Sequence, residues 1–135
     1  MAVFVLTDAS VTVNSVDLST YVTSVTLNYE KDSVEVTAMG SSGHTFTGGL
    51  QNISLDVTFN QDFAATKVAA TLDALIGLTT TVVVKPTTAA VSATNPSYTI
   101  SNAFLAGTQP VAGSVGDLAS TSVSFTGGTL VKATS

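Results

Sequence analysis

Between Gly48 and Gly77 the hydrophobic period of the chain changes once, and that change restricts the fold more than any other feature. Ile53, Leu55, Val57 and Phe59 alternate with Ser54, Asp56 and Thr58. This is the pattern of a strand with one buried face and one wet face. Past Asn60-Gln61-Asp62 the apolar residues Ala65, Val68, Leu72, Leu75 and Ile76 recur at helical spacing. Asp62 suits an N-cap and Gly77 a C′ position, so the spacing predicts a helix over about Asp62–Ile76. No other stretch has a helical period. A lone amphipathic helix must bury its stripe against strands, and Val68, Leu72, Leu75 and Ile76 each contribute roughly 1.5–3 kcal/mol when buried. The segment reads as a central strand followed by the one helix that covers a sheet.

The remaining chain reads as strands. Val3–Leu6 is apolar and ends at Thr7-Asp8. Val11-Thr12-Val13 and Val16-Asp17-Leu18 flank Asn14-Ser15, a two-residue hairpin turn in which Asn tolerates positive φ. From Tyr21 to Tyr29 the chain alternates: Tyr21, Thr23, Val25, Leu27 and Tyr29 face one way, and Val22, Ser24, Thr26 and Asn28 the other. Glu30-Lys31-Asp32 reads as a turn and Val34-Glu35-Val36 as a short strand. Thr37–Gly49 is rich in Gly and Ser and reads as a flexible loop or an extended hairpin tip. After the helix, Thr79–Lys85 is β-branched and stops at Pro86, and Thr87–Pro96 is a loop. Tyr98–Leu105 is a strand with a kink at Asn102. Gln109–Ser114 is a turn region. Ala119–Thr126 alternates again, Thr121, Val123 and Phe125 opposite Ser120, Ser122 and Ser124. Gly127-Gly128 breaks it before Thr129–Val131. Seven to eight short strands with turn signals and one helix argue a mainly β sandwich or barrel in a single domain, 1–135.

Charge and composition limit the function classes. Charged residues make up only 10% and hydrophobic residues 44%, with mean hydropathy +0.45. Free monomers usually stay soluble through charge, so a neutral Thr-rich surface argues that neighbours cover much of it. The net charge is −5, arginine is absent, and the four lysines, Lys31, Lys67, Lys85 and Lys132, are scattered. Sequence-specific nucleic-acid binding wants clustered cations and is not expected. Without cysteine there is no disulfide or thiolate metal site. The short apolar N-terminus lacks a basic region, so it does not read as a signal peptide, and no run is long enough to span a bilayer.

No catalytic constellation emerges. His44, the single histidine, sits in the Gly/Ser loop with no carboxylate beside it in sequence and reads as a solvated or contact residue. Glu30, Asp32 and Glu35 read as a solvated acidic turn rather than a cation loop, which needs more carboxylates in fixed register. No Gly-x-Ser-x-Gly elbow is present. Gly48-Gly49 and Gly127-Gly128 do not join a strand to a helix with a following Lys, so they are no phosphate cradle. No catalytic residue, metal ligand or cofactor is expected.

Several phrases in order resemble the tail tube (major tail) proteins of long-tailed bacteriophages. They are Val16-Asp17-Leu18-Ser19 leading into Tyr21–Leu27; Ala38-Met39-Gly40 with Gly48-Gly49-Leu50 closing the loop; Ile53–Phe59 before the helix; and Pro110 with Gly113-Ser114-Val115-Gly116-Asp117 before the last strand and Gly127-Gly128. Together they cover most of the chain. The resemblance implies a β-sandwich with a flanking helix that assembles with itself and other tail proteins, in typically hexameric rings stacked around a DNA channel. The expected place is the virion tail, assembled in the host cytoplasm and away from membranes. Open sandwiches have edge strands that copies can pair, and an acidic or neutral lining lets DNA slide where a basic one would hold it. Lys31–Gly49 is then expected to be a subunit-contact arm, with Val34, Val36, Met39, His44 and Phe46 at the contact. The polar face of one long strand, either Ser54, Asp56 and Thr58 or Ser24, Thr26 and Asn28, is expected to line the channel, in transient non-specific contact with DNA. A tail terminator or other neck component is a nearby reading. A capsid-decoration or adhesion-type sandwich module is the main alternative, and a sandwich hydrolase is disfavoured by the missing acid/base cluster.

Overall fold

A computed structural model describes residues 5–64 and 67–134. Its strands are β1 (Ser10–Val13), β2 (Val16–Asp17), β3 (Val22–Glu35), β4 (Phe46–Asn60), β5 (Leu78–Lys85), β6 (Ser97–Leu105), β7 (Ser120–Thr126) and β8 (Thr129–Ala133), with one helix, α1 (Val68–Asp73), between β4 and β5. Every strand pairing is antiparallel, in the order β2-β1-β5-β6-β7-β4-β3, with β8 on β6. The mainly β architecture with one helix is the one the periodicities predict.

The sheet bends at β6. Ser97–Ser101 pair with β8, whereas Phe104 and Leu105 pair with β7. Between them Asn102 adopts φ 62°, and the β5 pairing skips register between Thr80 and Val82. This is a bulge at the expected kink, and bulges increase local twist and bend. The inward faces of the two halves therefore meet in one core. Leu55, Val57, Phe59, Val123 and Phe125 come from β4 and β7, and Val11, Val13, Val82 and Ile100 from β1, β5 and β6. The Asn14-Ser15 turn has φ 50° and 68°, positive at both positions as a tight hairpin requires.

Three local expectations are corrected. The helix is short. Lys67, not Asp62, occupies the N-cap, with no side-chain capping bond. Asp62 instead accepts the Ala64 N–H at 2.9 Å, a turn of its own. That bond, aided by the Tyr21 phenol, holds the Asp62 carboxyl below its usual range. Val68, Leu72 and Leu75 are buried, but Ile76 is 44% exposed, because the helix has ended and the chain is already turning through Gly77 (φ 79°) into β5. Ala65 lies outside the described residues. The Val3–Leu6 strand is not found: Val3 and Phe4 lie outside the described residues, and Val5 and Leu6 are exposed and in no strand. Glu30-Lys31-Asp32 does not turn. β3 runs through it to Glu35, absorbing a register shift between Lys31 and Ser33. Its pairing to β4 supplies the backbone bonds, so polar composition there marks a strand in water, not a turn.

One buried group is left over. The Thr80 hydroxyl is enclosed with no hydrogen-bond partner among the described residues. Burying a hydroxyl unpaired costs about 1–3 kcal/mol. Thr80→Val keeps the shape and removes the cost, so it is expected to raise stability by about 1 kcal/mol. A chemical-denaturation midpoint below that of the parent protein would refute this.

Candidate assembly surfaces

Two features stand apart from the core. The first is the outer face of the β3–β4–β7 ribbon. Register sets Ser24, Thr58 and Ser122 in one row, Thr26, Asp56 and Ser124 in the next, and Asn28, Ser54 and Thr126 in the third. The rows are tied by hydrogen bonds. Asn28 Nδ2 donates to Ser54 Oγ at 3.2 Å, the Thr58 and Ser122 hydroxyls meet at 3.2 Å, and Ser124 Oγ donates to Asp56. The two strand faces offered by the sequence as alternatives are thus one continuous surface. Sequence reasoning left β7 out of it, although the alternation of Ser122 and Ser124 with Val123 and Phe125 carried the signal.

The second feature is the distal part of the β3–β4 hairpin. Every residue from Asn28 to Leu50 is exposed. The strands stay paired out to Glu35 and Phe46, and the tip closes through Val36 N–H to Thr45 O (2.8 Å) and Ser41 N–H to Ala38 O (3.2 Å). Thr37–Gly49 is therefore a structured hairpin end, with Gly40 at φ 91°. The expected contact residues all lie on it, but not on one face. An extra β4 residue sits near Gly49 where the register shifts. A Cβ at Gly49 would touch Asp32 and Val34, and one at Gly48 would touch Lys31. Phe46 therefore shares the face of Lys31 and Glu35, while Val34 and Val36 alternate to the other. Met39 stands wholly exposed at the tip, at 102%. His44 does have a carboxylate partner: its Nδ1 contacts Glu35, and its ring lies 6.5 Å from that of Phe46. The sequence hid this because Glu35 lies nine residues away and only the hairpin brings it across.

The arm also divides the acidic group. Glu30 and Asp32 continue the polar face beyond Asn28, Asp32 accepting from Asn52 Nδ2, whereas Glu35 points to the opposite side. With Asp56 the polar face holds three carboxylates, and no lysine lies on it: Lys31 is on the reverse of β3, Lys67 precedes α1, Lys85 ends β5, and Lys132 stacks over Tyr98 at 5.9 Å. A surface of this kind attracts no phosphate backbone. Among the described residues, no three His, Asp or Glu side chains converge on a metal-sized site.

No protein-family model and no curated protein sequence matches the chain. Solved structures share its fold at low identity. A chain of the native gene transfer agent virion aligns with TM-score 0.72 at 14% identity, over 93% of this chain and 95% of the other. One in the sheath/tube terminator of an extracellular contractile injection system, in the extended state, aligns at 0.72 and 13%, covering 98% and 97%. One in the tube-terminating cap of the anti-feeding prophage aligns at 0.69 and 14%, covering 100% and 95%. The fold is tail-tube-like. These neighbours come from a gene transfer agent and contractile injection systems, a wider group than the long-tailed phages the sequence phrases resemble.

Proposed function

We propose that copies of this chain assemble into rings that stack into the tube of a phage-type tail, with the β3–β4–β7 polar face toward the lumen and DNA as the cargo. The observation that carries the reading is the arm. A paired hairpin that buries nothing in its own molecule, yet displays Val34, Val36, Met39 and Phe46 to water, is stabilised when another surface covers it. Six copies to a ring is what the resemblance implies, and the virion tail is the expected place, with assembly in the host cytoplasm beside other tail proteins. Negative-stain microscopy of the purified protein tests it: the expected result is rings or tubes, and a monodisperse monomer at all concentrations sinks it. The likeness to terminator and cap chains favours a second reading, a tube terminator, which predicts single rings that never lengthen.

The lumen assignment makes its own prediction. Asp56 occupies the middle row of the polar face and is exposed. Asp56→Lys places one cation per subunit where phosphates pass. Assembly is expected to be unchanged and DNA release slowed, more strongly at low salt because each phosphate contact is salt-sensitive. Equal ejection rates in the two proteins, measured by dye-labelled DNA escape, remove this face from the lumen.

A further inference from the structure

Where the arm leaves the body, one side chain spans the gap between the two halves of the sheet. Gly127 N–H donates to Ile53 O at 3.0 Å, and the Gly127-Gly128 pair then carries the chain away from β4 to run along β6 as β8. Past Ile53, β4 has only β3 beside it. Gln51 is the next residue on the inward face of β4, and it is half-buried. Its Oε1 accepts the Leu130 N–H of β8 at 2.9 Å, and its Nε2 donates to the Tyr29 hydroxyl of β3 at 3.3 Å. Among the described residues, the side chains beyond Gln51 bond only within the arm: Asp32 to Asn52, Glu35 to Thr37 and His44, and Thr37 to Thr45.

We infer that Gln51 is a latch that sets the direction in which the arm leaves the body. A two-stranded ribbon holds its shape poorly by itself and twists more than a wide sheet. With no backbone bond from the arm to the body beyond Ile53, the root at Gln51 is the pivot, and the Gln51 amide is the tie across it. Glutamine suits the task because one end offers both an acceptor and a donor, so it joins β8 and β3 at once. Leu130 is buried. Its N–H is penalised if it is left without a partner, so the latched direction is the favoured one. A preset direction also lowers the ordering cost when another surface covers the arm. The latch works within a single copy, so it holds whether or not copies form a tube.

The test uses the full chain. Cysteine is absent from the sequence, so Met39→Cys at the tip and Ser101→Cys, exposed on β6, take the two spin labels alone. Labelled protein is mixed with excess unlabelled protein, and the tip-to-body distance is read by double electron–electron resonance. Roughly 17 Å of strand separates Gln51 from Phe46 at about 3.4 Å per residue, so a swing at the root displaces the tip by several ångström. The expected distance distribution is narrow in the parent and broad in Gln51→Met, which keeps the length of the side chain and loses both bonds. Gln51→Asn, one methylene shorter, is expected to broaden it too. Gln51→Glu accepts from both the Leu130 N–H and the Tyr29 hydroxyl, and is expected to restore the narrow distribution. The Leu130 amide is expected to exchange its hydrogen roughly fivefold faster or more in Gln51→Met than in Gln51→Glu. A narrow distribution in both Gln51→Met and Gln51→Asn overturns the latch, as does a broad one in the parent or in Gln51→Glu.

Discussion

Replacing residues 32–50 by a two-residue turn is expected to leave a folded monomer that does not polymerise. Lys31 and Gln51 face each other across β3 and β4, so an Asn-Gly turn can close the shortened hairpin there. The core is untouched, because Ile53 is the first buried residue of β4 and no arm residue belongs to the hydrophobic cluster. The thermal midpoint is therefore expected to move by only a few degrees, in line with exposed sites that change stability by about 0.5 kcal/mol or less. Assembly is expected to vanish, since apolar anchors at the centre of a contact carry most of its energy. Sedimentation velocity and microscopy read the two quantities separately. Normal tubes from the shortened chain eliminate the arm as the contact; a molten monomer shows that the arm holds the fold.

The largest expected loss of stability from a single methyl group is at Gly128. The Gly127-Gly128 pair joins β7 to β8, which run one after the other along β6, with φ 77° and 88°. A Cβ on Gly128 lies 2.2 Å from Ser101 O and 3.0 Å from Asn102 C, both backbone atoms of the β6 bulge. Neither is the end of a flexible side chain, so relief requires moving the bulge that bends the sheet. Gly128→Ala adds that clash to the penalty of a left-handed conformation, for a total of roughly 3 kcal/mol or more. The thermal midpoint falls by roughly 10 °C. Gly127→Ala is the control. It has the same backbone hand but no atom within 4 Å of the added carbon, so it costs only about 1 kcal/mol. Equal losses at the two positions would mean that backbone hand alone, not the close approach to Ser101, sets the requirement for glycine.

The strands with one wet and one dry face were legible because alternation reports burial directly. Ile53 to Phe59 and Thr121 to Phe125 are buried at alternate positions as read. The Asn14-Ser15 turn and the Asn102 kink were legible because Asn is among the few residues that accept positive φ. The helix ends were not. Asp62 had two hydrogen-bonding options, and the one chosen, a turn at Ala64, depends on where Tyr21 and the end of β4 place it. Ile76 lost its burial because the helix ends at Asp73 and the chain turns through Gly77 into β5. The arm was misread at Glu30-Lys31-Asp32 because a strand surrounded by water has no dry face to impose alternation. Its continuation depends on the partner strand, which enters the sequence only after Thr45.

The sequence alone determined that the chain is mainly β with one covering helix, that it carries few charges and no cationic cluster, and which faces of β4 and β7 go inward. These are properties of single residues and of their nearest neighbours along the chain, so they survive without knowledge of the partners. Only the tertiary structure decided that Ser24, Asp56 and Ser124 belong to one surface, that His44 meets Glu35, and that Gln51 reaches the Leu130 amide. Each of these depends on strand register, and register is fixed when the bulges near Gly49 and Asn102 satisfy backbone hydrogen bonds across strands far apart in the chain.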